Sequence, residues 1–305
     1  MGVSTLYRLM SLSGSSMVFR APTNLGVIIS GEKVIVIDTG YGDDKARRLL
    51  KELKSLNKQV IAIINTHCHA DHIDGNKYLV KRTGAKVFAP AKEISYIENP
   101  ELYMRTFFNQ ARPWFPKGTK FMTAKPSKVD QKLAEGEFEI NNITLRILDL
   151  PGHSFGQIGI LTEDKVLYMG DAVFTKEILN KYPLVFYIDI DSLMTSFSKI
   201  LKCDAEIFVP GHGEILTREE LEDTIDYYKE KIEGINQAIL DLLKHSAGIS
   251  EIITRLCKRL NVPHTFEQYY LAKTIISAHL SWLVNHGFIE IELRNYDLIF
   301  KLSKK

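Results

Sequence analysis

Within Thr66-His67-Cys68-His69-Ala70-Asp71-His72, three imidazoles and one carboxylate fall inside six positions. The apolar run Val60-Ile61-Ala62-Ile63-Ile64 comes directly before them. A short apolar run that stops abruptly at polar groups reads as a buried strand ending at a sheet edge. Such an end is a rigid mount for metal ligands, and imidazole with carboxylate suits a divalent cation. Packed this tightly without a cation, the four groups would cost stability, so a bound metal is the economical reading.

More groups of the same kind follow. Of nine histidines, the five before residue 240 are His67, His69, His72, His153 and His212, and all five sit in loops after apolar, strand-like runs. Asp171 stands in a similar place, after Gly170. Two apart on an extended backbone, His67 and His69 point the same way and with His153 make a three-nitrogen site. Asp71 and His72 point elsewhere and join His212 at a second site, with Asp171 between the two. Two divalent ions about 3.5–4 Å apart would acidify a shared water and polarise a carbonyl or phosphoryl oxygen, which is the chemistry of hydrolysis. The donor set accepts zinc first, with iron or manganese as alternatives.

These loops need a scaffold. Residues 24–30 and 33–38 read as strands joined by Ser30-Gly31-Glu32. Helical spacing covers 43–57, with Ala46, Leu49, Leu50 and Leu53 on one face. After the strand at 60–64, a helix over 74–83 ends at Gly84, and a strand covers 86–89. Strands are expected again at 137–149, 156–162, 165–170 and 206–209, with a helix at 189–202 between the last two. This order fits two sheets packed face to face with helices outside, an α/β (α+β) chain. From Arg218 the chain reads as helical to about His245. Helices at 249–260 and 266–286 and a hairpin at 289–302 then form a winged-helix-like module. The expected division is 1–233 and 234–305, with an inserted cap at about 91–135.

Composition narrows the classes. The 305 residues are 45% hydrophobic and 25% charged with a net charge of +2, which favours no particular partner. Three cysteines rule out a disulfide framework and fit a reducing, cytoplasmic setting. No targeting segment and no membrane span is expected.

Thr66-His-Cys-His-Ala-Asp-His72 resembles the His-x-His-x-Asp-His signature of the metallo-β-lactamase superfamily, with His153, Asp171 and His212 following in that family's order. Asp38-Thr39-Gly40 resembles its early Asp-x-Gly turn. The resemblance spans about residues 20–215 and implies an αββα sandwich with a di-metal site at His67, His69, Asp71, His72, His153, Asp171 and His212, Asp71 serving in catalysis as well. It implies hydrolysis and leaves the substrate open. Gly170-Asp-Ala-Val-Phe174 is similar to glyoxalase II enzymes, which cleave thioesters, although the basic glutathione motif of those enzymes is absent. Phe174 replaces the Tyr of quorum-sensing lactonases, and His69 the Glu of flavodiiron proteins. The expectation is a thioester or other small acyl ester. The alternatives are RNA cleavage, a mononuclear-iron persulfide dioxygenase, and a non-enzymatic nucleic-acid binder. Ala278–Phe288 is similar to the winged-helix tail of some β-lactamase-like hydrolases and ribonucleases.

Three features carry further expectations. The stretch 105–128 has six Lys/Arg, no acid and several aromatics, so it reads as a lid in which Arg105, Arg112 and Lys117 contact an anion beside Trp114 and Phe115. Cys68 alternates away from His67 and His69, into the core. Asp74 either steadies a ligand histidine or caps a helix. The apolar faces of helices 217–245 and 266–286 suit a homodimer.

Overall fold

The computed structural model describes residues 6–114 and 122–304. Two sheets form its centre. The first has seven strands in sequence order: β1 (Arg8–Ser13), β2 (Ser16–Arg20), β3 (Leu25–Ser30), β4 (Lys33–Ile37), β5 (Gln59–Ile64), β6 (Lys86–Pro90) and β7 (Gln131–Leu133). The second has six: β8 (Gly136–Ile140), β9 (Ile143–Asp149), β10 (Ile158–Thr162), β11 (Val166–Gly170), β12 (Ile207–Pro210) and β13 (Leu216–Thr217).

Strand periodicity explains why both faces of each sheet are buried. In β4, Ile35 and Ile37 face the second sheet, where they meet Ile147, Ile160 and Tyr168. Val34 and Val36 face the other way, onto α1 (Asp43–Ser55) and α3 (Asn76–Thr83) through Leu49, Leu53 and Leu79. The outer face of the second sheet packs Leu167, Met169 and Phe208 against α7 (Ile190–Lys202) and the first half of α8 (Arg218–Leu242). Strands buried on both faces read as unbroken apolar runs. Each fully buried Val, Ile or Leu contributes about 1.5–3 kcal/mol, which is what fixes the layers. The expected αββα sandwich is thus present.

Several expected boundaries differ. The hairpin β1–β2 was not anticipated, because its edge strand alternates Leu and Met with small serines and is mostly half-exposed. The helix expected over 74–83 is α3, ending before Gly84, and a separate short helix, α2 (Ala70–Ile73), precedes it with a break at Asp74 and Gly75. A β-carbon at Gly75 would lie 2.5 Å from the Thr39 carbonyl oxygen, so the break lets the ligand-bearing turn dock on residues 39–40. The cap region holds α4 (Ile94–Glu98) and α5 (Pro100–Thr106), and it rejoins the first sheet at β7. A short helix, α6 (Lys176–Lys181), follows the Asp171 loop and was not expected either, since six residues with one buried apolar position carry little periodicity.

The chain continues into α9 (Ile249–Arg259), α10 (Phe266–Asn285) and a three-stranded sheet of β14 (Ala247–Gly248), β15 (Ile289–Arg294) and β16 (Asp297–Leu302). α8 serves both halves. Its start packs beneath the second sheet, and its end packs Ile235 and Ile239 against α9 and α10. The apolar faces of α8 and α10 are therefore used inside the chain, where Ile276, Leu280 and Leu283 are buried, and are not left for a dimer. The outer part of the β15–β16 hairpin exposes Ile291, Leu293 and Tyr296.

Candidate metal centre

Topology brings the separated loops together. β9 and β11 both run antiparallel to β10, and β12 runs parallel to β11, so the ends of β9, β11 and β12 lie at one edge of the second sheet. His153, Asp171 and His212 hang from those three ends. β5 brings His67–His72 to the same place, where the Thr66 carbonyl accepts from the Ile158 amide at 2.9 Å.

All seven expected ligands meet there. His67, His69 and His153 form one group, Asp71, His72 and His212 another, and Asp171 lies with His67 and His72, the donor atoms within each group lying within 4.8 Å. His69 Nδ1 lies 2.8 Å from His153 Nε2. His212 Nε2 lies 3.2 Å from Asp71 Oδ2, and Asp171 faces His72 at 3.3 Å and both His153 and His212 at 3.5 Å. Apart from His212, which is half-buried, every one of these residues is buried.

The rings are held from behind. His153 Nδ1 donates to the Phe186 carbonyl and His212 Nδ1 to the Pro22 carbonyl, each at 2.7 Å. His72 Nδ1 donates to Asp38 at 2.7 Å. Thr66 donates its hydroxyl to Asp38 and accepts from His67 Nδ1 at 3.0 Å. These four tautomers follow from the network, and each leaves Nε2 with a lone pair facing the centre. His69 Nε2 meets the Tyr103 hydroxyl at 2.7 Å, which leaves Nδ1 for the centre.

The fit to cations is visible in what stays unpartnered. His67 Nε2, His72 Nε2 and Asp171 Oδ1 are buried without a hydrogen-bond partner. Buried polar atoms are ordinarily paired, so orphans converging on one point fit a cation. Charge says the same. Burial pushes the pKa values of His67, His69 and His153 down. Burial opposes charging of His72 as well, but Asp171 and Asp38 carry it well above its ordinary value. His212 likewise overcomes burial and rises to about 9 beside Asp171 and Asp71. Asp71 is held at about 2, because burial is outweighed by its His212 hydrogen bond and by nearby His72. The carboxylates demand positive charge, and two divalent ions would satisfy them as the two imidazolium groups otherwise do.

Other expectations fall differently. Cys68 points away from the centre into an apolar cluster with Ile73, Ala89 and Ile97, as alternation requires. Asp74 neither touches a ligand histidine nor caps a helix with its side chain. It accepts from the Gly42 and Lys125 amides, at 2.9 and 2.7 Å, pinning the segment after the cap to the 39–42 loop. Arg105 pairs with Glu101 along α5, Arg112 is exposed, and Trp114 packs on Phe266 of α10. None of these three lines the cavity over the centre. Phe115 and Lys117 lie outside the described residues. From the cap, Tyr103 and Phe107 reach that cavity instead. Sequence reasoning saw Asp38 only as part of a turn, and it missed Tyr103 entirely, since a lone Tyr on a short helix carries no signal.

The cavity holds about 360 Å³ above the metal centre. Beyond Tyr103 and Phe107, its walls include Phe174, Phe186 and two α10 residues, Leu271 and Ile275.

Residues 18–212 match the Metallo-beta-lactamase superfamily, which covers the sandwich and every ligand position. The chain belongs to that superfamily and is a hydrolase of it. It is 28% identical over 192 residues to a probable metallo-hydrolase of Methanocaldococcus jannaschii, an alignment spanning 62% of this chain and 86% of the relative. It is 31% identical over 147 residues to a hydroxyacylglutathione hydrolase of Erythrobacter litoralis, across 48% of this chain and 45% of that one. A metallo-beta-lactamase family protein from Thermus thermophilus superposes with a TM-score of 0.71 at 21% identity, covering 96% of this chain and 97% of the other. That last likeness concerns the fold.

Proposed function

We propose that the chain is a two-metal hydrolase acting on a thioester or other small acyl ester. The observation that carries this reading is the set of seven convergent donors, five of them imidazoles whose remote nitrogens are tied to a carbonyl, a hydroxyl or Asp38. His67, His69 and His153 would hold one ion, Asp71, His72 and His212 the other, with Asp171 between them. Zinc is the proposed ion, with iron or manganese accepted by the same donors. When bound, the pair supplies acidified water and polarises the acyl oxygen.

The chain's own residues do the rest. Asp38 holds His72 and, through Thr66, His67, so both rings are oriented before any substrate arrives. Asp71 stays ionised at neutral pH and lines the cavity, as a ligand and as an acceptor of a proton at its carboxylate. Phe107, Phe174 and Phe186 exclude bulk water around the reacting bond, which strengthens every charge interaction there. The likeness to a hydroxyacylglutathione hydrolase, a thioester-cleaving enzyme by name, supports the choice of acyl substrate.

We read residues 234–305 as a winged-helix-like module whose task is to wall the cavity, with the boundary from 1–233 falling inside α8. A cytoplasmic setting fits the sparse cysteines, and among the described residues no helix is long and apolar enough to cross a membrane.

The test is a substrate panel of thioester, lactone, phosphodiester and short RNA, run on protein of measured metal content. Turnover of the thioester at about two ions per chain is expected for a two-metal centre. Turnover of RNA alone would overturn the acyl reading.

A further inference from the structure

The wall of the cavity over the metal centre has an apolar part and a basic part. The apolar part is packed. Phe186 packs against both His69 and His153, with ring centroids 5.5 and 5.7 Å away, and Phe107 packs on Phe186 at 5.9 Å. Behind them α10 presents Gln268, Leu271 and Ile275, spaced so that all three fall on one helix face. Ile275 is 1% exposed, so this part rests on packed side chains.

The basic part of the wall is supplied by two lysines. Pro22, whose carbonyl holds His212, lines the cavity together with Tyr41 and Lys45 from the loop and first turn of α1. Lys181, at the last turn of α6, lines the cavity too and is exposed, whereas Lys45 is half-buried. No ion pair joins either lysine to a carboxylate among the described residues. Among the described residues, the only acidic ones on the cavity wall are Asp71 and Asp171, which belong to the centre. A cavity walled by apolar side chains and by two lysines that no carboxylate pairs with among the described residues is matched by a molecule with an apolar part and an anionic part.

We infer that the substrate is a thioester with an apolar acyl group and an anionic leaving thiol. The acyl chain lies against Phe107, Phe186 and the α10 residues Leu271 and Ile275. The thiol moiety lies where Lys45 or Lys181 meets its phosphate or carboxylate. A large hydrophilic leaving group needs a path to solvent, and Lys181, which lines the cavity and is exposed, marks one. Hydrolysis balances simply: the acyl carbon–sulfur bond breaks, water adds its oxygen to the acyl carbon, and the thiol leaves with a proton, so no oxidant or reductant is required.

This inference rests on the acyl-ester reading, and one experiment separates the two. Octanoyl-coenzyme A, acetyl-coenzyme A and octanoyl-N-acetylcysteamine, whose leaving thiol is neutral, are compared on the metal-loaded enzyme. The expected order of kcat/KM places octanoyl-coenzyme A first, with both losses at least tenfold. The Lys45→Ala, Lys181→Ala double variant should raise KM for octanoyl-coenzyme A about tenfold while changing the kinetics of the neutral thioester far less, since the two lysines would act on an anionic thiol mainly through charge. Leu271→Asp should lose octanoyl turnover and retain more of the acetyl turnover. If that variant misfolds, Ile275→Val, a smaller change, should shift the ratio of octanoyl to acetyl turnover instead. Equal rates on all three thioesters, or a double variant that affects neutral and anionic thioesters alike, would overturn this inference and leave the hydrolase intact. Failure of every thioester and of the lactone in the substrate panel would remove the acyl reading itself.

Discussion

Asp38 adopts a left-handed backbone conformation, φ 59°, and from it places its carboxylate 2.7 Å from Nδ1 of His72. Few residues other than glycine accept that conformation, and Asp is among those that do. The same carboxylate accepts from the Thr66 amide and hydroxyl at 2.8 and 2.7 Å. One side chain therefore orients His72 directly and His67 through Thr66.

Asp38→Ala is expected to weaken metal binding by about 10–100-fold, the usual cost of losing an outer partner of a ligand histidine. Titration against a chelator of known affinity measures it. Excess metal should restore most of the activity. A variant with unchanged affinity would show that the rings are oriented by packing alone.

Asp171→Ala removes the carboxylate that faces His72, His153 and His212. Metal content should fall from about two ions per chain to about one, with activity lost by more than the factor that an outer partner costs. Elemental analysis of purified variant and parent decides. Full activity in the variant would refute a two-metal centre.

Glu93 is fully buried and accepts from the Ser154 hydroxyl at 2.8 Å and the Gly156 amide at 2.7 Å, so it braces the loop that carries His153. Replacing it with Ala leaves the buried Ser154 hydroxyl without this acceptor, at about 1–3 kcal/mol, and the half-buried Gly156 amide without it at a smaller cost. Thermal unfolding should shift down by several degrees, while Glu93→Gln, which keeps an acceptor oxygen, should lose less. Equal loss in both variants would mean that the charge and not the hydrogen bonds matters.

His279 offers a pH test away from the metal ligands. It lies buried between the Tyr187 hydroxyl and Asn236 Oδ1, each at 2.6 Å, and burial lowers its pKa to about 3. The unfolded chain binds this proton at about pH 6.5. Between those values the unfolded state holds more protons, so stability rises with pH across the window and is lost as pH falls towards 3. Denaturant titrations of metal-free protein at pH 6.5 and 4.5 should show a slope up to about 1.4 kcal/mol per unit steeper than in His279→Gln. Parallel slopes in the two proteins would refute the assignment.

How much of this was readable beforehand depended on distance along the chain. The candidate ligands were legible because each follows an apolar strand, so residue type and position agree. Val60–Ile64 before His67 is the clearest instance. Asp38 could be seen but not its partner, because the contact to His72 forms only when β4 and β5 pair in parallel. Tyr103, Glu93 and Leu271 were silent for the same reason: each acts across more than thirty residues, through packing that no local pattern encodes. The basic lid misled in a different way. Its charge was real, but Arg105 is turned along its own helix to Glu101, and the cations that do line the cavity, Lys45 and Lys181, sit singly in unremarkable contexts.

The closing wall of the cavity comes from α10, a helix that follows the last ligand, His212, in the chain. One part of the cavity wall is thus written in a stretch of polypeptide separate from the candidate ligands. Changes at Gln268, Leu271 or Ile275 can reshape what the cavity admits while the imidazoles keep their places. Drift in this one helix would alter the cavity without touching any residue of the candidate metal centre.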